Sequence, residues 1–164
     1  MLHADIEAIL NKQVQAEGES SQFYLSMASW ADAHGLAGVA AFFYGHADEE
    51  RMHMLKLVKF INERGGHAII PAISEPQGKF KNMQELFEKF LDSEVGVTKK
   101  INDVVDTCLK LKDYTTHNFM QWYVSEQIEE EALARLTLDK LKLIGSDQAG
   151  LYLFDRDLGN IKQH

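Results

Sequence analysis

Ala47-Asp48-Glu49-Glu50-Arg51-Met52-His53-Met54 contains Glu50-x-x-His53, a carboxylate and an imidazole one helical turn apart on a shared face. That face is not a solvated one. Phe43, Glu50 and Leu57 recur at heptad spacing, as do His46, His53 and Phe60, so Glu50 and His53 fall in the stripe that a helix buries. An isolated ionised carboxylate there costs on the order of tens of kcal/mol by continuum estimates. It must be protonated, paired or bound to a metal. The rest of the chain reads as the source of further ligands.

Working outward, the first helix is expected over about 5–33, with Asp5 as its cap and His34-Gly35 as its end. Its apolar stripe runs Ile6, Leu10, Gln13, Glu17, Tyr24, Met27, Ala31, which puts Glu17 on the buried side near mid-helix. The second helix, about 36–64, stops at Gly65-Gly66. At ~1.5 Å per residue each is roughly 40 Å long, and the short link makes them antiparallel neighbours. Residues 66–81 hold both prolines, Pro71 and Pro76. A connection this long without helical period suits a strap from one end of a bundle to the other. The third helix, about 82–112 from a cap at Asn82, carries Phe87, Phe90, Glu94, Val97, Ile101, Val104 and Cys108 on its stripe. The fourth, about 114–144, sets Gln127 in the column of Met120 and Ala134, and Glu130 in that of Tyr123 and Thr137. A short fifth helix, about 147–158, shows Leu151, Phe154 and Leu158 on one face. The expectation is one all-α domain over 1–164, a four-helix bundle with one long crossover and a short C-terminal helix, without internal repeats.

Composition agrees with this. The chain has 164 residues, 45% hydrophobic and 26% charged, which suits an ordinary globular domain. A net charge of -8 argues against nucleic acid and anionic membranes as partners and is compatible with cations. The single Cys108 excludes an internal disulfide and suits a reducing cytoplasm. The N-terminus shows no apolar signal region, so no secretory signal is expected. Nor is there an apolar run of ~18 residues to span a membrane.

Midpoints of antiparallel helices share one level, so Glu17, Glu50, His53, Glu94, Gln127 and Glu130 are expected to converge. Four carboxylates and one imidazole cannot satisfy each other in a dry core, because like charges repel and ionised carboxylates only accept hydrogen bonds. Two divalent cations balance them. Carboxylates with little imidazole and no thiolate suit iron(II) or manganese(II) better than copper, with zinc left open. Neither Glu17 nor Glu94 has a basic residue one turn away: the flanking positions are Gln13, Val14, Ser20 and Ser21, and Phe90, Leu91, Val97 and Thr98. His46 reads as a core or supporting histidine and stays outside the ligand set. Asp113 and His117 read as exposed turn residues in preference to the lining of an ion-entry pore.

This pattern resembles the ferritin family, and bacterial non-haem ferritins most, over almost the whole chain. The resemblance implies Glu17, Glu50 and His53 as ligands of a first iron and Glu50, Glu94 and Glu130 as ligands of a second, with Glu50 bridging and Gln127 alongside. It implies a third, acidic iron position at Glu49, Glu126 and Glu129, flanking aromatics Tyr24 and Trp122, and a role for Tyr24 in donating an electron or a hydrogen bond. It implies ferroxidase activity with O2 or peroxide, storage of ferric mineral, and a homo-oligomeric shell of 24 subunits. The chain departs from a symmetric di-iron bundle, which has two Glu-x-x-His motifs. Here the second slot is Gln127-x-x-Glu130, an oxygen-rich and weaker site that suits iron in transit and argues against a monooxygenase. The competing reading is a di-iron oxidase or peroxidase of the same fold that stores nothing. Haem is not expected: the residue after the second-helix glutamate, where bacterioferritins carry a haem-binding Met, is Arg51.

Overall fold

The computed structural model describes residues 1–161, and among them the elements are α1 (Ala4–Ala33), α2 (Ala37–Glu63), α3 (Met83–Lys110), α4 (Tyr114–Ile144) and α5 (Gln148–Leu158). Among the described residues no helix is long and apolar enough to cross a membrane.

Capping explains most of the boundaries. Asp5 does not cap α1; the His3 ring accepts the Asp5 N–H at 3.1 Å instead, and Asp5 joins Glu7 in the first turn. There their charges complement the helix dipole. Asn82 caps α3 through the Glu85 N–H at 2.9 Å, and Asp113 caps α4 through the Thr116 N–H at 2.9 Å. α3 ends at Lys110, short of the expected 112, because Lys112 turns the chain in the left-handed region at φ 57°. Gly145, at φ 65°, closes α4, as its freedom from a Cβ allows.

The first residue of α2 has no local cap, since Leu36 has no side chain able to accept. The acceptor comes from the other end of the chain: Asp155 of α5 takes the Val39 N–H at 2.9 Å. The α5 backbone lies so close that a Cβ on Gly38 would stand 1.7 Å from the Asp155 carbonyl oxygen. α5 thus packs on α2 as a remote helix cap.

Leu2 N–H reaches the Arg64 carbonyl at 3.2 Å, so the start of α1 meets the end of α2 and the two run antiparallel. The crossover lies along α1: Asn11 bonds the Ile69 N–H and the His67 carbonyl at 2.7 and 3.1 Å, and Ser26 bonds the Gln77 carbonyl at 2.7 Å. Asn11 and Ser26 are roughly 22 Å apart along the helix, so the strap does traverse the bundle.

The buried apolar side chains form two separate clusters. One holds Met27, Phe43, Phe87, Phe90 and Leu138; the other holds Leu10, Leu57, Ile61, Ile101 and Met120. On each of the four long helices the sequence crosses from one cluster to the other through a polar residue: Glu17, Glu50 with His53, Glu94, and Gln127 with Glu130.

Candidate metal centre

That polar level is dry. Glu17, His46, Glu50, Glu94 and Glu130 are at most 3% exposed, Gln127 5% and His53 7%. Two ligand groups form within it. Glu17, Glu50 and His53 bring one donor atom each within 4.8 Å of one another, and so do His46, Glu49 and Glu130.

In the first group His53 Nδ1 lies 3.3 Å from Glu50 Oε2 and 3.9 Å from Glu17 Oε2. This is near enough for attraction but out of hydrogen-bond alignment. Glu17 Oε1 accepts from the Gln13 amide at 2.8 Å. Glu17 Oε2 and Glu50 Oε2 are buried without a hydrogen-bond partner. Orphaned buried acceptors of this kind are rare and costly. Burial pushes the Glu17 carboxyl well above its ordinary range, with the Glu50 charge adding to it, and burial does the same to Glu50. Two donors about 2.1 Å from one ion stand about 3–3.4 Å apart at right-angle to tetrahedral geometry, so the His53–Glu50 spacing of 3.3 Å fits a shared cation, while Glu17 at 3.9 Å stands slightly farther off.

Glu94 sits across from this group. It accepts from the Tyr24 hydroxyl at 2.5 Å and from the Gln127 amide at 3.2 Å, and the same amide reaches the Glu94 carbonyl and Thr98. Burial and the Glu130 charge push its carboxyl up to about 7. Burial and the Glu94 charge hold the Tyr24 phenol well above its usual range. Gln127 is thus oriented by its amide toward α3.

Sequence reasoning set His46 aside, yet the structure brings it to Glu130: Nε2 lies 3.2 Å from Glu130 Oε2, and Nδ1 lies 3.0 Å from the Phe42 carbonyl. Burial alone would depress this imidazole; the Glu130 hydrogen bond and charge prevail and raise it. The signal was present in the heptad column His46, His53, Phe60, but an apolar environment gave no reason to prefer a ligand over a core ring. Glu49 is half-buried and joins His46 and Glu130, whereas Glu126, half-buried, and Glu129, exposed, belong to neither ligand group. Glu126 lies near Lys56. Trp122 packs edge-on against the His53 ring at 5.1 Å, with Lys56 Nζ 3.6 Å over its face. Tyr123, absent from the expected site, donates to the His53 carbonyl at 2.7 Å and braces that turn of α2.

A four-helix bundle whose core is split by buried carboxylates and imidazoles defines a class, the carboxylate-rich metal-binding bundles. The sequence profile described as Ferritin-like domain matches residues 7–144, and the chain belongs to that family. It is 44% identical to a bacterial non-heme ferritin of Campylobacter jejuni over 98% of this chain and 96% of that one. It is also 44% identical to a probable bacterial non-heme ferritin-like protein of Haemophilus influenzae over 98% of each chain. The open pore ferritin of Archaeoglobus fulgidus superposes with a TM-score of 0.97 at 39% identity, over 99% of this chain and 100% of that one.

Proposed function

We propose that this protein is an iron-storage ferritin: it binds iron(II), oxidises it at a dinuclear centre, and keeps the ferric product inside a hollow shell of its own subunits in the cytoplasm. The observation that carries this reading is the pair of orphaned oxygens, Glu17 Oε2 and Glu50 Oε2, facing His53 in the dry middle of the bundle. Such groups are costly unless they take up a proton or a cation, and a cation satisfies both carboxylates and the imidazole together. Membership of the ferritin-like family, and the names of the relatives, point to iron as that cation.

On this reading Glu17, Glu50 and His53 hold one iron(II), and Glu50, Glu94 and Glu130, with the Gln127 carbonyl, hold the other. Together the two ions supply the two electrons that take O2, with two protons, to hydrogen peroxide; peroxide itself serves as an alternative oxidant. Hard carboxylates favour the ferric product. Tyr24, bonded to Glu94, keeps that carboxylate oriented and stands where it can supply a proton or an electron. Glu49, Glu126 and Glu129 form the acidic path along which iron leaves. Haem has no part in it.

Aerobic loading of metal-free protein with excess iron(II), followed by gel filtration and an iron count, tests the reading. Tens of iron atoms per subunit in a particle of several hundred kilodaltons are expected. About two per subunit would instead indicate a discrete oxidase, and none retained would end both readings.

A further inference from the structure

We propose that Gln13 is a positioning residue for the centre: its side-chain amide ties down one oxygen of Glu17 and leaves the other, Oε2, as the single oxygen that α1 offers to a cation. The proposal rests on the iron-binding reading above and gives a role to a buried polar residue which that reading leaves unused.

Gln13 is out of place in its own stripe. It lies between Leu10 and Glu17 on the buried side of α1 and is 1% exposed, yet it belongs to neither apolar cluster. A buried primary amide is costly unless its polar atoms find partners, and a leucine would fill the position without that cost. The bond it makes runs from Nε2 to Glu17 Oε1 at 2.8 Å. Helical side chains lean toward the helix N-terminus, so Glu17 leans back over the turn that carries Gln13, and the four-residue spacing brings the two together. Glu17 Oε2 is left without a partner, 3.9 Å from His53 Nδ1. The terminal torsion of a free glutamate is soft and would offer either oxygen or both. With Oε1 held, the carboxylate is set to bind through one atom.

The donor is also neutral, and that matters. An ammonium or guanidinium beside Glu17 would satisfy it as an ion pair and compete with an incoming cation, whereas an amide orients the carboxylate and leaves its charge in place. Among the described residues no Lys or Arg is buried. Glu94 is held by the same kind of group, the Tyr24 hydroxyl and the Gln127 amide. Gln13 further closes the floor of a groove of about 410 Å³ between α1 and α3, where the exposed side chains Lys12 and Lys100 also stand. Gln13 lines this groove and Glu17 does not, so the amide separates the carboxylate from those two ammonium groups. Partners of this kind, which hold a ligand without touching the metal, set its orientation and hence the affinity of the site.

The test uses zinc(II), which is redox-inert and reports binding without turnover. The assembled, metal-free, full-length protein is titrated with zinc by calorimetry, and zinc-soaked crystals show how Glu17 binds. In wild type Glu17 should bind zinc through Oε2 alone, with Oε1 still on Gln13. Gln13→Leu, which removes the donor at similar size, should weaken zinc about tenfold at the position of Glu17, Glu50 and His53. It should leave the position of Glu94 and Glu130 as it is, and Glu17 should then bind through both oxygens or turn away. Gln13→Met, unbranched like glutamine, should do the same. If both variants bind zinc as wild type does while Glu17→Gln loses the first position, the proposal is overturned and the iron reading stands. Equal weakening of both positions would mark a loosened core and overturn it too. So would a wild-type crystal in which zinc takes Oε1 and the Gln13 bond is broken, a result that needs no variant to assemble. If Glu17→Gln also leaves zinc binding unchanged, the iron reading falls with the proposal.

Discussion

At the scale of single residues, the buried carboxylates are not equivalent. Glu50 presents an orphaned oxygen, whereas both oxygens of Glu94 accept hydrogen bonds, from Tyr24 and Gln127. Glu50→Gln and Glu94→Ala should therefore diverge in the metal-free protein. The first removes a crowded charge and offers Glu17 Oε2 an amide donor, so it should stabilise by about 1 kcal/mol. The second strands the Tyr24 hydroxyl and should destabilise by about 1–3 kcal/mol. Both should bring iron oxidation near the uncatalysed rate; thermal melts beside stopped-flow oxidation traces decide it, and a stabilised Glu94→Ala would contradict the hydrogen-bond argument. The same groups set a pH dependence. The Glu17, Glu50 and Glu94 carboxyls are raised in the fold, Glu94 to about 7 from 4.5. Between those values the native state binds more protons than the unfolded one, so stability is present at low pH and lost as pH rises. His46, also raised, loses its contribution in the same direction. Melting of the metal-free protein is thus expected to fall from pH 5 to pH 8, and a melt that rises across that range would refute the burial of these acids in protonated form.

At the scale of elements, the junction of α5 with α2 is the one that local sequence cannot supply. Gly38→Ala would drive a methyl into the Asp155 carbonyl, a contact of 1.7 Å against backbone on both sides. It should separate α5 from α2, seen as earlier proteolytic cleavage within residues 145–161 while iron oxidation in the bundle persists. Asp155→Ala removes only the cap on the Val39 N–H and should cost about 1 kcal/mol, as other lost caps do. If Gly38→Ala leaves α5 as protected as in wild type, the close packing is not a constraint. Most other boundaries were legible in advance. Asn82 and Gly145 announce the start of α3 and the end of α4 by capping chemistry. Asp5 misled because a histidine two positions earlier can also accept a backbone N–H, and Lys112 because a left-handed lysine carries no compositional mark.

At the scale of the whole molecule, two apolar clusters flank a level of buried carboxylates and imidazoles that is costly to keep dry. Metal binding should then act as a strong ligand effect. At a free concentration 100 times the dissociation constant it adds about 2.7 kcal/mol per site. Zinc(II) or oxygen-free iron(II) should accordingly raise the melting temperature, release protons near pH 7, and flatten the pH dependence of the melt. Differential scanning calorimetry with and without metal checks this, and an unchanged melt would remove the cation from the account. The sequence by itself determined the helical bundle, the crossover and the level at which Glu17, Glu50, His53, Glu94, Gln127 and Glu130 meet. These follow from periodicity and helix length, which are local, and from antiparallel pairing, which places midpoints together. Only the tertiary structure decided how the six divide: Glu17 and Glu50 with His53, Glu94 with Tyr24 and Gln127, and Glu130 with His46. It alone showed Asp155 capping α2. His46 and Glu130 are 84 positions apart, and Asp155 and Val39 116. Partnership over such separations depends on rotamers and on how the helices are rotated about their axes, which a pattern of buried positions leaves open.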